Sequence, residues 1–137
     1  MRFAALCVAL ILAACGGDAN GTSGETVDPS GDRPSSPAKL SIVSPAVGEV
    51  VRGSTVDLRI ALDDATIVPG TSTDIQPDEG HLHVLLDDTL ISMTEGLEQE
   101  VPGVEPGTHR IQVEFVAADH APFDPRVISV VAFEVMP

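Results

Sequence analysis

Two histidines lie two residues apart in the stretch Gly80–Asp88, which reads Gly-His-Leu-His-Val-Leu-Leu-Asp-Asp. Successive side chains of a β-strand point to opposite faces, so His81 and His83 share one face while Leu82 and Val84 share the other. Imidazole is the commonest metal ligand among side chains, and such a pair lets one ion bind two nitrogens. The spacing therefore predicts a site for zinc or copper, which both suit imidazole ligands.

A metal site needs further ligands, and the sequence has two other histidines, His109 and His120. Either imidazole is a candidate third ligand, and Asp78, Glu79 or Asp119 is a candidate carboxylate ligand. A blue-copper site is excluded because it requires a cysteine, and both cysteines precede the predicted domain. The alternative is that these histidines are structural, with His109 at the end of a sheet and His120 hydrogen-bonded within its own loop.

Calcium binding and catalysis have less support in the sequence. The acidic pairs Asp63-Asp64, Asp78-Glu79 and Asp87-Asp88 offer carboxylate oxygens, but none has the spacing of a known calcium loop. A hydrolase would have its site in the loops Asp64–Gly80 and Asp119–Pro125, yet the sequence lacks a Gly-x-Ser-x-Gly motif, a phosphate loop and dinucleotide-binding glycines. We therefore expect a non-enzymatic protein with no catalytic residues.

The N-terminal residues resemble the export signal of a bacterial lipoprotein. Phe3–Ala14 is an unbroken apolar run, shorter than the about 20 residues that span a bilayer and typical of a signal peptide. It ends in Leu12-Ala13-Ala14-Cys15, which resembles the lipobox of bacterial lipoproteins. The resemblance implies cleavage after residues 1–14 and acylation of Cys15. An ordinary secreted protein with a free Cys15 thiol is the alternative.

A lipid anchor on Cys15 predicts an extracytoplasmic protein held at the cell membrane. The next residue is Gly16 and not Asp, which favours the outer membrane if the host is Gram-negative. Because Cys7 lies in the predicted signal peptide and Cys15 carries lipid, the remaining domain would have no disulfide and no thiolate ligand.

The chain is acidic, with 21 Asp and Glu against 7 Lys and Arg and a net charge of −14. Such a surface repels polyanions, so DNA and RNA are excluded as partners, whereas an envelope protein is compatible as one. Residues 15–38 are rich in Gly, Ser, Thr, Asp and Pro, and they predict a flexible linker between the lipidated cysteine and the domain.

Residues 39–137 are predicted to form one domain. With no Trp, no Tyr and four Phe in the chain, the core must consist of Val, Ile and Leu, which favour strands. Alternating apolar segments predict strands at Leu40–Val43, Glu49–Val51, Val56–Leu62, His81–Leu86, Thr89–Met93, Leu97–Val101, Ile111–Phe115 and Val127–Val135. Short spacing and Gly/Pro turns predict an all-β fold, an antiparallel immunoglobulin-like β-sandwich of about seven strands; a small barrel is the alternative.

Residues 45–135 resemble an uncharacterised family of exported bacterial domains. The resembling motifs are Pro45–Gly48, then Gly-His-x-His-Leu-Leu-(Ile/Leu)-Asp at Gly80–Asp87, Pro-Gly-x-His at Pro106–Val113, and His-x-Pro at Asp119–Pro125. This chain has Leu82 and Val84 where the family often has His and Leu, so it lacks one imidazole. The resemblance implies a sandwich and draws attention to the four histidines, but it implies no activity. We therefore expect a lipid-anchored binding or structural module, with metal binding as the alternative.

Overall fold

The computed structural model describes residues 33–70 and 73–137, and every regular element within them is a β-strand. The predicted signal peptide, Cys15 and the predicted linker up to residue 32 lie outside the described residues. Within the described part of the chain, no helix is long and apolar enough to cross a membrane.

Nine strands follow one another in these residues. They are β1 (Lys39–Ser44), β2 (Val50–Arg52), β3 (Val56–Asp63), β4 (Thr66–Ile67), β5 (Glu79–Leu86), β6 (Thr89–Thr94), β7 (Glu98–Val101), β8 (Gly107–Ala117) and β9 (Pro122–Met136). The first sheet has the order β1-β3-β7, and the second has the order β2-β9-β8-β5. At its far edge, β5 pairs with β4 in parallel and with β6 antiparallel. The all-β prediction is confirmed.

The core lies between the two sheets. Val56, Leu58 and Ile60 of β3 are buried, while Asp57 and Arg59 between them are exposed, as alternation along a strand requires. The second sheet contributes the remaining apolar residues of the same cluster, among them Leu82, Val84, Ile111, Val113, Phe115, Phe123, Val131, Phe133 and Val135. The predicted Val/Ile/Leu core is therefore completed by three phenylalanines.

Two segments predicted as loops contain strand residues. β4 lies inside Asp64–Gly80, where the Thr66 amide donates to the Asp78 carbonyl and the Val68 amide donates to the Gly80 carbonyl. β9 begins at Pro122, inside Asp119–Pro125. The side chain of Phe123 is 1% exposed and holds this stretch against the core. The loop predictions are wrong at these positions, and both strands bring a connection close to β5.

The predicted turn between β5 and β6 is confirmed. Asp87 and Asp88 have φ values of 47° and 67°, the left-handed conformations that a two-residue type I′ hairpin requires at both positions. Asp tolerates this backbone better than most residues. The turn fixes the direction of β6, so that its far end returns beside the start of β5, where the paired histidines lie.

Candidate metal centre

Three histidine side chains converge at the edge of the second sheet. His81 Nε2 lies 3.2 Å from His83 Nε2 and 3.0 Å from His120 Nδ1, and the third side of this triangle is 3.4 Å. Among the described residues, these three form the group whose ligand atoms lie close enough together to hold a metal ion. We call this group the His triad.

β5 supplies two members of the His triad. His81 and His83 alternate with Leu82 and Val84, whose side chains are fully buried in the core, so the two imidazoles share the outer face of the strand. His81 is nevertheless only 3% exposed, because the backbone at Gly70 approaches its ring from the connection that follows β4. The two imidazoles, predicted from their spacing to share one face of the strand, lie next to each other.

A tight turn between β8 and β9 supplies the third member. The His120 amide donates to the Ala117 carbonyl, and the Ala117 amide donates to the Ala121 carbonyl. His120 has a φ of 65°, a conformation uncommon for a residue that is not glycine. A strained backbone at a site that presents a side chain is consistent with a functional role.

Arg33 braces this turn from the segment that precedes β1. Its guanidinium contacts both Asp119 carboxylate oxygens at 2.7 and 3.0 Å and also donates to the Ala121 and Pro122 carbonyls. The hydrogen bonds from Arg33 lower the pKa of Asp119. Asp119 therefore serves as the partner of Arg33, and its carboxylate is not part of the His triad.

Gly70 holds the His120 ring in one tautomer. His120 Nε2 lies 2.8 Å from the Gly70 carbonyl oxygen, and because a carbonyl only accepts, Nε2 carries the hydrogen. In the neutral ring this leaves the Nδ1 lone pair facing His81 and His83. Backbone carbonyls orient metal-binding histidines in the same way in known sites. A Cβ atom at Gly70 would lie 2.7 Å from both the His120 and His81 rings, so glycine is required for this approach.

The environment keeps two of the three rings neutral. Burial, followed by repulsion from His120 and His83, lowers the pKa of His81 to about 4. Burial is also the main cause of the lowered pKa of His83, to which His120 adds and which Glu114 opposes. His81 Nδ1 is enclosed and has no hydrogen-bond partner in the described structure. Nε2, which faces His83 and His120, is therefore the nitrogen that is available to bind a metal ion. Neutral imidazoles are the form that binds metal.

The His triad has the dimensions of a metal site. Zinc–nitrogen bonds of 2.0–2.1 Å in tetrahedral geometry place ligand nitrogens about 3.3 Å apart. The observed separations of 3.0 to 3.4 Å match this spacing. A cavity of about 180 Å³ adjoins two members of the His triad, His81 and His120. That cavity is lined by Gly70, His81, Met93, Thr94, Glu95 and His120.

Glu114 is a further residue at the site that the sequence analysis missed. It pairs with His83 in the register between β5 and β8 and is 5% exposed. The guanidinium of Arg126 contacts its two carboxylate oxygens at 2.7 and 2.5 Å. The buried negative charge is thus compensated. Only the register between the strands, which sequence periodicity does not give, could have pointed to it.

His109 lies at the other end of the sheet. It is seven residues before Val116, the partner of His81, which corresponds to roughly 20 Å along β8. Its Nδ1 and Nε2 lie 2.7 Å from Asp87 Oδ2 and from the Glu105 carbonyl oxygen. The hydrogen bond to Asp87 raises the pKa of His109. Both nitrogens are engaged, and His109 is not among the three histidines whose nitrogens converge in the described residues.

The carboxylates considered for metal or calcium sites lie elsewhere. Asp64 pairs with Lys39, and Asp88 pairs with Arg110. In the described residues, neither Asp78 nor Glu79 joins the His triad, although both belong to the segment that pairs with β4. Among the described residues, His120 is the candidate that joins His81 and His83, and the group contains no carboxylate.

No protein-family model matches the sequence, and no curated protein is similar to it. A fibronectin(III)-like module of Clostridium thermocellum CbhA matches with a TM-score of 0.52 at 21% identity, over 70% of this chain and 93% of the module. An endo-β-1,4-mannanase from Thermotoga petrophila matches at 0.48 and 16% identity, over 72% of this chain and 20% of the enzyme. A human PKD domain matches at 0.45 and 14% identity, over 85% and 90%. The first likeness shows an immunoglobulin-like fold, as predicted.

Proposed function

We propose that this chain is a non-catalytic, immunoglobulin-like module that binds a transition-metal ion, zinc or copper, through His81, His83 and His120. The observation that carries the proposal is the triangle of three imidazole nitrogens separated by 3.0 to 3.4 Å. Structural histidines have no need to converge on one another, because each can be satisfied by a backbone carbonyl or a carboxylate, as His109 is.

The surroundings of the His triad support binding over catalysis. The adjoining cavity of about 180 Å³ is smaller than the about 300–1,000 Å³ of ordinary ligand pockets. It accommodates an ion with one further ligand and leaves little room for an organic substrate. The lowered pKa values of His81 and His83 keep lone pairs available to a cation at neutral pH.

The proposed location rests on the sequence alone. The lipobox-like Leu12-Ala13-Ala14-Cys15 supports export and acylation of Cys15. The predicted linker at residues 15–38 and the acidic charge of the chain are compatible with a module tethered to an envelope membrane. Mass spectrometry of the N-terminal peptide from membrane-extracted protein tests this part. An acylated Cys15 as the first residue supports it, whereas an unmodified cysteine overturns it.

Calorimetric titration with Zn²⁺ and with Cu²⁺ tests the metal proposal. The full-length chain is used in detergent with Cys7→Ser and Cys15→Ser, so that no thiol competes for metal. We expect one ion per chain with a dissociation constant of micromolar or lower. In the His83→Ala variant we expect affinity to fall by at least a hundredfold, because an ordered three-ligand site becomes a two-ligand site.

His109→Ala is the matched control, since it removes an imidazole that lies outside the His triad. It should retain the affinity of the parent protein. Thermal unfolding of each variant shows whether it is folded before the titration. Absence of stoichiometric binding to the folded parent, or equal loss in both variants, overturns the proposal.

A further inference from the structure

We infer that Met93 supplies a fourth ligand to the His triad and that the site takes Cu(I) in preference to Zn²⁺. This inference rests on the proposed metal site and adds its metal identity. From the sequence, Met93 is predicted only to lie in a strand. The pairing of β5 with β6 places it beside His83.

Met93 lies directly beside the His triad. It pairs with His83 across the antiparallel ladder, so both side chains share one face with their Cβ atoms about 5 Å apart. Together with His81 and His120 it lines the cavity that adjoins the His triad. A flexible thioether of this length can reach an ion at the centre of the triangle.

The exposure of Met93 indicates that it does not serve the core. Its side chain is 57% exposed, whereas the core on the opposite face of the strand is complete without it. Isolated exposed apolar side chains are common on protein surfaces, so exposure alone carries no conclusion. Here it coincides with a wall of a cavity that two of the three convergent imidazoles, those of His81 and His120, also line.

The donor set favours Cu(I) on chemical grounds. Thioether sulfur is a soft ligand that selects Cu(I), while imidazole accommodates both copper and zinc. Zinc sites are built from thiolate, imidazole and carboxylate ligands, and the described residues offer no carboxylate in the His triad. Three nitrogens and one thioether therefore satisfy Cu(I), whereas Zn²⁺ would use the three nitrogens and a water molecule.

Glu95 is the competing candidate, because it lines the same cavity. A carboxylate ligand would favour Zn²⁺ and would make the thioether irrelevant. The comparison of Met93→Leu with Glu95→Gln therefore separates the two donor sets. Both substitutions preserve side-chain size and lie on or beside an exposed strand end, so both variants should fold.

The test is a competition for Cu(I) between the full-length Cys7→Ser, Cys15→Ser protein and a chromophoric Cu(I) chelator, without oxygen and with ascorbate. We expect Met93→Leu to weaken Cu(I) binding at least tenfold while Zn²⁺ affinity changes by less than twofold. Glu95→Gln should leave Cu(I) affinity unchanged. Met136→Leu is the second control, since Met136 pairs with Arg52 at the other end of the sheet.

Copper-edge X-ray absorption of the Cu(I)-loaded protein provides an independent readout. One sulfur neighbour in the parent, absent in Met93→Leu and retained in Met136→Leu, supports the inference. Metal binding through the His triad with unchanged Cu(I) affinity and no sulfur neighbour overturns the inference and leaves the proposed function intact. If the folded parent binds neither Cu(I) nor Zn²⁺, the proposed function fails as well.

Discussion

At the residue scale, Gly70 decides whether two members of the His triad can meet. A Cβ atom there would lie 2.7 Å from atoms of the His81 and His120 rings, closer than side-chain contacts allow. Gly70→Ala should therefore push the rings apart and weaken zinc or copper binding at least tenfold. We expect an accompanying loss of about 1–3 kcal/mol in the free energy of unfolding, as for other overpacked positions. Calorimetric titration and urea unfolding measure the two effects.

Gly96→Ala is the control for that substitution. An added Cβ at Gly96 would meet its neighbours at ordinary distances of 3.4 and 3.5 Å, and Gly96 lies outside the cavity. It should bind metal like the parent protein. Equal metal affinity in the folded Gly70→Ala and Gly96→Ala variants would contradict the role assigned to Gly70.

His109 provides a pH-dependent contribution to stability that is separate from the metal site. Its hydrogen bond to Asp87 raises its folded pKa above the unfolded value of 6.5. The stabilisation is therefore fully present below about pH 6.5 and is lost as the pH rises through the raised pKa. Because the pair is partly solvated, we expect at most about 1 kcal/mol. Urea unfolding of the metal-free protein at pH 5.5 and 8.5 measures it.

The control for this prediction is His109→Gln, which retains a polar side chain but does not titrate. The difference in unfolding free energy between parent and variant should shrink from pH 5.5 to pH 8.5. A difference that stays constant or grows over this range would show that the His109–Asp87 pair does not behave as the structure indicates.

The chemistry of the His triad was only partly predictable from individual residues. Alternation along β5 was enough to pair His81 with His83 and to bury Leu82 and Val84. It gave no means of choosing between His109 and His120. These two residues lie at opposite ends of β8, and the choice depends on which end lies beside His81. The hydrogen-bond partners that occupy both nitrogens of His109 become visible only in three dimensions.

At the element scale, Arg33 attaches the segment before β1 to the turn that presents His120. It contacts Asp119, Ala121 and Pro122, which lie on both sides of His120. Arg33→Ala should loosen this turn and weaken metal binding several-fold, with a loss of unfolding free energy of about 1–2 kcal/mol for charge-assisted hydrogen bonds. Amide hydrogen exchange should increase at residues 119–121.

Lys39→Ala is the matched control, because it removes a cation whose ion pair with Asp64 is exposed on both sides. Such pairs contribute little to stability, so metal affinity and exchange should remain those of the parent. Unchanged affinity and exchange in Arg33→Ala would mean that the turn holds His120 without this contact.

Elements with a sustained sequence pattern were predicted, including β5, whereas β4 and the start of β9, which lie next to the site, were not. β3, β5 and β8 show clear alternation, and Asp87-Asp88 identifies the hairpin. β4 has two residues, too few for any periodicity, and the start of β9 is obscured by prolines around Phe123. A register irregularity between Val84 and Leu85 aligns Met93 with His83, and no turn rule would have given it.

At the scale of the whole molecule, the His triad joins segments that are distant in sequence. β5, the connection after β4 and the turn between β8 and β9 meet there, and the described residues contain no cysteine for a disulfide. A bound ion would therefore link the edge of the second sheet to the connection between two of its central strands. Metal binding should therefore raise the free energy of global unfolding, and its effect should not be confined to one loop.

Ligand linkage gives the size of this effect. An ion at a hundred times its dissociation constant stabilises the folded state by about 2.7 kcal/mol, which raises the melting temperature of a domain of this size by roughly 10–20 °C. Thermal unfolding with and without Zn²⁺ or Cu(I) measures the rise. His83→Ala should show almost none, while His109→Ala should show the full shift. Equal shifts in the two variants would mean that the ion binds elsewhere, since His83 contacts the other two imidazoles of the His triad and His109 does not.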